Sequence, residues 1–384
     1  MGCQACRQAE SEVNFPLIES DIKNLDPKNL TTPEQKEDFN NFLLTFNSKL
    51  PSFGSYLDSD FTTLIPKKIQ EYTTEHPLSL DPSLIQNIQC YEIKPVEFQN
   101  GNIYQGGWNS QMLMEGQGKY FLKEEGVMAE GIWKEGNLFF ARVFIPKEND
   151  TFDIYEGEIK NSAFNGKGKL ISANGTIYEG DFKEGEKIGN GKIIFPDGTI
   201  YIGQVEKSDL NGKGKMTWKN GYEYEGDFDK NKFGGNGILK GPKGDIYEGG
   251  FLNNLFNGEG KYHYYNGNSY EGQFLYGVKK GKGVYKSLNS FEYDGDWDND
   301  LPCGVGKLST WNNSGIIKST WRYGKIMEEP VYEKGTIDDF IDIDFNINVD
   351  KMMLNIKDLT NIENTETQST QYKLGTTPSF LDDY

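Results

Sequence analysis

The sequence is poor in the residues on which much enzyme chemistry depends. Its 384 residues include only two histidines, His76 and His263, and four cysteines. Two histidines exclude a multi-histidine metal site and make histidine-based catalysis untenable. Cys90 and Cys303 stand far apart and alone, which fits a reducing compartment and describes no disulfide framework.

Long apolar runs and an excess of positive charge are also missing. No segment approaches the roughly 18–20 continuous apolar residues of a membrane span, and the N-terminus lacks the apolar core of a secretory signal. The formal charge is −18, yet residues 101–325 carry 28 basic and 30 acidic side chains, so the acid lies in the flanks. A near-neutral middle argues against nucleic-acid binding.

Phosphate-binding loops and paired catalytic acids are not indicated either. Glycine-lysine pairs are frequent, but none is followed by serine or threonine, and none lies between a strand and a helix. Acidic pairs such as Glu124-Glu125 recur without a fixed partner and are typical of a solvated surface. We therefore expect no enzyme activity, no cofactor, no metal and no small-molecule substrate.

Glycine and aromatic residues are abundant, and they recur with a fixed period. Glycine follows each repeat tyrosine at two residues and an apolar residue follows at four, which is the alternation of a strand with one buried face. The tyrosines are spaced by 23 residues: Tyr155, Tyr178, Tyr201, Tyr224, Tyr247, Tyr270 and Tyr293.

Two further elements keep the same step. A Gly-x-Gly begins at residues 166, 189, 212, 235, 258, 281 and 304, and Asn-Gly or a similar pair occurs at 174, 197, 220, 243 and 266. We interpret each repeat as strand, loop, strand and tight turn, with Asn-Gly in a type I′ turn. Outward acids such as Glu179 and lysines such as Lys169 should pair across strands.

These hairpins predict a mainly β protein, because a single hairpin is marginal in water and must stack on its neighbours. We expect an elongated, twisted antiparallel β-meander of about nine to ten hairpins over residues 96–330. Tyr104 begins the first repeat, and five extra residues before Tyr155 predict an insertion near Pro146 to Asp153. Trp321 indicates a degenerate last hairpin that acts as a cap.

The pattern Tyr-Glu-Gly-Asp-Phe, Gly-x-Gly and Asn-Gly at 23 residues resembles the MORN (membrane occupation and recognition nexus) repeat family. The resemblance implies a β-meander used for protein contacts, dimerisation or lipid binding, and it does not single out one function. It leads us to expect partner binding on the aromatic face of the ribbon, formed by Tyr104, Trp108, Tyr155, Tyr178, Phe182, Tyr201, Tyr224, Phe228, Tyr247, Phe251, Tyr270, Phe274, Tyr293 and Trp297.

The first six residues, Met-Gly-Cys-Gln-Ala-Cys, form a lipidation motif. Gly2 is the acceptor for N-myristoylation, although Cys6 stands where serine or threonine is usual. One acyl chain anchors only marginally, and with Arg7 as the only basic residue among the first 22, palmitoylation of Cys3 and Cys6 must supply the second signal. The alternatives are an unmodified disordered tip, half a zinc site or a thioredoxin-like pair.

The flanks divide into smaller segments. Residues 1–20 are the anchor and 21–95 a small helical region, in which Phe39, Phe42 and Phe46 share a helical face that packs on the ribbon or forms a docking helix. In the acidic tail 331–384, apolar residues alternate from Ile341 to Val349 and predict a strand that pairs with a ribbon edge or lies in the aromatic trough. The last twenty residues are expected to be disordered.

The leading functional hypothesis is a non-enzymatic, membrane-tethered scaffold or adaptor that binds protein partners through its β-ribbon. It predicts a cytoplasmic location at the inner face of a membrane, at the plasma membrane, cell cortex or cilium, and it is compatible with a homodimer. One alternative is a phosphoinositide or lipid sensor, although clustered basic residues are missing. Another is a ciliary or cytoskeletal subunit without membrane contact.

Overall fold

The computed structural model describes residues 54–85 and 88–340. The fold is mainly β and antiparallel, its sheet remains open, and it confirms the predicted meander with a small helix before it. The described chain forms two compact units, residues 54–187 and 188–340. The lipidation motif, the predicted helix at 32–50 and the predicted strand at 341–349 lie outside the described residues.

The N-terminal unit is a run of antiparallel strands in which each strand from β3 to β10 pairs with the next. Strands β1 and β2 precede the repeats and pair with β3 and β4, an addition that the 23-residue pattern did not predict. The strands are β1 Gly54–Tyr56, β2 Tyr91–Glu92, β3 Val96–Phe98, β4 Ile103–Trp108, β5 Met114–Leu122, β6 Val127–Lys134, β7 Asn137–Pro146, β8 Phe152–Lys160, β9 Ala163–Ile171 and β10 Ile177–Lys183.

A short helical segment covers one face of this unit. Helix α1 (Lys67–Glu75) begins after Pro66 and ends at His76, which precedes Pro77 and is held out of the helical region by that proline. Turns of 3-10 helix occupy Phe61–Leu64, Pro82–Ile85 and Glu148–Asp150. The last of these lies in the loop where the insertion was predicted.

The helical segment packs on a row of apolar side chains that crosses five neighbouring strands. Phe61 and Ile69 are fully buried against this row. The row consists of Ile103, Phe121, Met128, Phe144 and Ile154, paired in register. Each member is one residue away from the row that contains Tyr104, Tyr120 and Tyr155, and successive side chains of a strand alternate between faces. The helix therefore covers the face opposite the tyrosines.

The C-terminal unit repeats the hairpin without interruption. Each strand from β11 to β22 pairs with the next, and both β23 and β24 pair with β22. The strands are β11 Glu186–Ile194, β12 Ile200–Glu206, β13 Asp209–Thr217, β14 Glu223–Asp229, β15 Lys232–Lys240, β16 Ile246–Leu252, β17 Leu255–His263, β18 Ser269–Leu275, β19 Val278–Lys286, β20 Phe291–Asp298, β21 Leu301–Thr310, β22 Ile316–Arg322, β23 Lys325–Ile326 and β24 Val331–Lys334.

The two ends of each hairpin use different turns, and the prediction of a type I′ turn at Asn-Gly is wrong. At residues 264–268 only Gly267 has a positive φ, 88°, and its N–H donates to Tyr264 O at 3.0 Å. This is a longer turn that ends in a left-handed glycine. The two-residue turns with two positive φ angles lie at the other end, as at Asn253 (50°) and Asn254 (65°).

Glycine is required where each repeat tyrosine crosses the neighbouring backbone. A Cβ at Gly249 would lie 2.5 Å from Gly260 Cα and 2.7 Å from Tyr247 Oη. The phenol of Tyr247 donates to Gly250 O at 2.8 Å, and the other six repeat tyrosines make the same bond to the carbonyl three residues on. The glycine of the Tyr-x-Gly motif and the second glycine of the Gly-x-Gly motif therefore pair with each other beneath the tyrosine ring.

Candidate partner-binding surface

The fourteen aromatic residues predicted to bind partners are core residues. Each of their side chains is at most 4% exposed. The hairpin register shifts between Gly249 and Phe251, and equivalent shifts in other hairpins bend the strands around the rings. Tyr247 lies at right angles to Phe251 (centroids 5.1 Å apart) and also to Phe274 of the next repeat (5.2 Å). The rings therefore link successive repeats and are not accessible at the described surface.

The outward strand positions carry the predicted charge pairs. Lys169 lies 3.2 Å from Glu179, and Lys261 lies 3.3 Å from Glu271. These side chains are about half exposed or more, so each pair stabilises the fold by only about 0–1 kcal/mol. Because lysines and acids neutralise each other along this face, it offers no concentrated positive charge to an anionic membrane.

An exposed apolar row lies at the long turns of the C-terminal unit. Tyr265, Leu288 and Trp311 occupy the same position in three consecutive turns, 23 residues apart, and are 56%, 55% and 66% exposed. We call these three side chains the loop ridge. Two repeats separate its ends, which corresponds to four strand spacings or about 19 Å.

The loop ridge is held in place by contacts between successive turns. The Leu288 side chain lies over Gly267 of the preceding turn, where an added Cβ would come within 2.9 Å of Leu288 Cδ2. The Leu288 N–H donates to Asn268 Oδ1 at 2.8 Å, and the Trp311 N–H donates to Ser290 O at 2.9 Å. A hydrogen-bonded backbone thus presents three large apolar side chains at the described surface.

The repeat geometry agrees with a family of known sequences. The MORN repeat model matches residues 155–177, 178–200, 201–221, 224–246, 247–269, 270–289 and 293–313. The chain contains seven MORN repeats across residues 155–313. The seven matched repeats begin at the seven tyrosines, and short gaps separate some of them. The hairpins before Tyr155 and after residue 313 have the same architecture but differ in sequence from the matched repeats.

Other comparisons add little. No curated protein sequence is significantly similar to this chain. One similar solved structure is the TCP domain of Drosophila melanogaster SAS-4 (dCPAP) in complex with a proline-rich motif of Ana2. It is 15% identical in sequence, with a TM-score of 0.24, and the match covers 47% of this chain and 90% of the SAS-4 chain. The wild-type TCP10 domain of Danio rerio CPAP, in complex with a peptide of STIL, is 13% identical with a TM-score of 0.27, covering 61% and 99%. Similarity at this level carries no functional inference.

A cavity of about 650 Å³ lies between the helical segment and strands β4 to β6 of the N-terminal unit. Leu78 forms part of its apolar wall, and Lys119 and Glu130 are among its charged residues. Burial raises the pKa of Glu130, while the nearby charges of Lys119 and Arg142 oppose that rise. Arg142 Nη1 lies 3.2 Å from Glu130 Oε1, and Arg142 Nη2 lies 2.9 Å from Glu156 Oε2, so Glu130 belongs to a structural ion pair.

The remaining sequence candidates for chemistry are surface or core residues. His263 is exposed on β17, as predicted. Cys90 is buried, and burial raises the pKa of its thiol to about 12, so it is unreactive near neutral pH. Among residues 54–85 and 88–340, no three or more His, Cys, Asp or Glu side chains gather where they could hold a metal ion. No helix of this described part is long and apolar enough to cross a membrane.

The loop ridge was not predicted from the sequence, because the candidate binding residues were chosen among those that recur in every 23-residue repeat. Regularity in a repeat marks positions that every hairpin needs for packing. The available signal was a change at one turn position, which reads Ala173, Pro196, Lys219, Pro242, Tyr265, Leu288 and Trp311 along the chain. Large apolar residues occupy it only in the last three repeats.

Proposed function

We propose that this protein is a membrane-tethered scaffold that binds a protein partner along the loop ridge. The observation that carries the proposal is the exposure of Tyr265, Leu288 and Trp311 at one position of three consecutive turns. Large, rigid aromatic side chains presented on ordered backbone are typical anchors of protein interfaces, and tryptophan is the most enriched among them. The repeats set the spacing between these three side chains.

The tether rests on the N-terminal motif alone. Gly2 would carry the myristoyl chain, and Cys3 and Cys6 would carry palmitoyl chains that make the attachment stable. Such a tether would hold the ridge near the cytoplasmic face of a membrane. A change of Gly2→Ala should move the full chain from the membrane fraction to the soluble fraction. Unchanged fractionation would remove the tether from the proposal and favour a cytoskeletal subunit without membrane contact.

The partner surface is tested separately, by proximity labelling from the full chain. Trp311→Ala and Leu288→Ala should each remove a common set of labelled proteins. Tyr276→Ala is the matched control, because Tyr276 is equally exposed (66%) but lies at the two-residue turn, at the opposite end of β18. Loss of the same proteins with Tyr276→Ala, or with none of the three variants, would contradict the ridge as the partner surface.

The lipid-sensor hypothesis remains the second candidate, and one experiment separates it from the scaffold. The Gly2→Ala full chain is mixed with phosphoinositide-containing vesicles and floated. The paired lysines and acids of the outward face lead us to expect no flotation. Flotation of this unacylated form would favour direct lipid contact by the repeats.

A further inference from the structure

We propose that the chain's own segment Ile341–Val349 lies along the loop ridge and competes there with the protein partner. This inference rests on the proposed function, because it names the regulation of the same surface. The segment alternates Ile341, Ile343, Phe345, Ile347 and Val349 with polar residues, so as an extended strand it has one apolar side.

The place where the described chain ends favours this occupant. Phe340 is 1% exposed and lies against Gly315, where an added Cβ would come within 2.6 Å of Phe340 Cε2. The Phe340 ring also lies edge-on to Tyr332, with centroids 6.3 Å apart. Gly315 belongs to the turn that carries Trp311, and its N–H donates to Thr310 Oγ1 at 2.9 Å. The described chain therefore ends against the turn that carries Trp311.

The length and spacing of the segment match the ridge. Nine residues of strand reach about 30 Å, more than the roughly 19 Å from Trp311 to Tyr265. Side chains on one side of a strand recur about every 6.7 Å, so three such steps equal the two repeat steps of the ridge. Ile341 would then meet Trp311, Ile347 would meet Tyr265, and the residues between them would flank Leu288.

Two other places for the segment can be compared with the ridge. The aromatic side of the hairpins offers no room, because its rings are already packed. The edge strand β24 is the other place where the segment could pair, and there it would leave Trp311 exposed.

Tryptophan fluorescence tests the proposal in the full chain without any partner. Trp311 is the exposed one of six tryptophans, since Trp108, Trp133, Trp218, Trp297 and Trp321 are at most 7% exposed. Acrylamide quenching that disappears in Trp311→Phe therefore reports on Trp311. We expect weak quenching of Trp311 in the wild-type chain. It should rise several-fold, with a red shift of the emission, when Ile343, Phe345 and Ile347 are all changed to serine.

Asp342→Ser with Asp344→Ser is the matched control, because it changes the polar side of the segment and should leave Trp311 shielded. Equal, strong quenching of Trp311 in the wild-type chain and in the triple-serine variant would overturn the proposal and leave the segment at β24 or elsewhere. Equal, weak quenching in both would overturn it too, because something else would then cover Trp311.

The two proposals fail in different ways. Quenching involves no partner, so it can support the intramolecular contact even if proximity labelling finds no ridge-dependent protein. If both proposals hold, the triple-serine variant should label more of the ridge-dependent proteins than the wild-type chain does. Unchanged labelling, together with exposed Trp311 in that variant, would contradict competition between the segment and the partner.

Discussion

The Lys279→Phe variant should be more stable than the wild-type protein. Lys279 occupies the repeat position held by Phe164, Leu210, Phe233 and Phe256 in other hairpins, nine residues after the repeat tyrosine. Its side chain is only 1% exposed. The ammonium lies 3.8 Å from Asp300 Oδ1 and 5.4 to 5.8 Å from the ring centroids of Tyr264, Tyr270 and Trp297.

Stabilising and destabilising contributions together determine how much Lys279→Phe changes the free energy of unfolding. Replacing both members of a buried ion pair by well-packed apolar residues is neutral or stabilises by about 1–4 kcal/mol, and the cost of removing only one member comes from the charge that is left buried. A phenylalanine should also stack on Tyr270 as Phe256 stacks on Tyr247, at 3.8 Å, which contributes about 0.5–1.5 kcal/mol. Against these gains stands the loss of the cation–π contacts, about 2 kcal/mol when desolvated. Since Asp300 is 39% exposed and its charge only partly desolvated, we expect a net gain of about 1–2 kcal/mol.

Chemical denaturation monitored by circular dichroism measures this difference. Phe256→Lys is the reverse exchange one repeat earlier, and it should cost at least the roughly 3–5 kcal/mol of a Phe→Ala change in a core. A loss of more than about 1 kcal/mol in Lys279→Phe would refute the reasoning. It would mean that the rings and Asp300 together stabilise the buried ammonium more than its desolvation costs.

Three further changes test other parts of the fold. Gly249→Ala should destabilise by more than about 2 kcal/mol because its Cβ would meet Gly260 Cα, whereas Gly258→Ala, with open space but a φ of 84°, should cost about 1 kcal/mol, both by denaturation. Arg142→Ala should cost about 3–5 kcal/mol by leaving Glu130 buried and unpaired, while Lys169→Ala on the exposed ladder should cost under about 1 kcal/mol. Burial raises the pKa of the seven repeat tyrosines. The contribution of the neutral phenols to folding stability is therefore complete below the ordinary tyrosine pKa, and it is lost as the pH rises above about 10. The full tyrosinate absorbance at 295 nm should be reached only together with loss of the β signal, and full absorbance while that signal persists would contradict this reasoning.

The sequence predicted the fold well because its main signals are local and repeated. The spacing from Tyr247 to Gly249, Phe251 and Gly260 defines one hairpin, and all four residues meet in the structure. The turn assignment failed for a physical reason. Asn-Gly satisfies either a type I′ turn or a longer turn that needs one left-handed glycine, and the dipeptide alone does not choose between them.

Burial of the aromatic side was harder to foresee. A flat ribbon would leave Tyr247 and Phe251 on an open face, and strand alternation describes each strand as if it were flat. The register shift between Gly249 and Phe251 recurs in other hairpins, and such bulges bend the strands, so that rings from one hairpin and the next pack against each other. Lys279 was also overlooked because a lysine on a glycine-rich strand is ordinarily an outward residue, although the 23-residue spacing aligns it with Phe164 and Phe256.

In the stacked turns, the bonds that hold the backbone do not involve the side chain at the ridge position. Successive turns are joined through main-chain N–H groups, Trp311 N–H to Ser290 O and Leu288 N–H to Asn268 Oδ1, and these bonds do not depend on that side chain. That side chain contributes nothing to the tyrosine contacts inside the hairpin. One residue in 23 can therefore be exchanged without disturbing the fold, so a lineage of such proteins can acquire new binding partners by single substitutions while the array beneath stays the same.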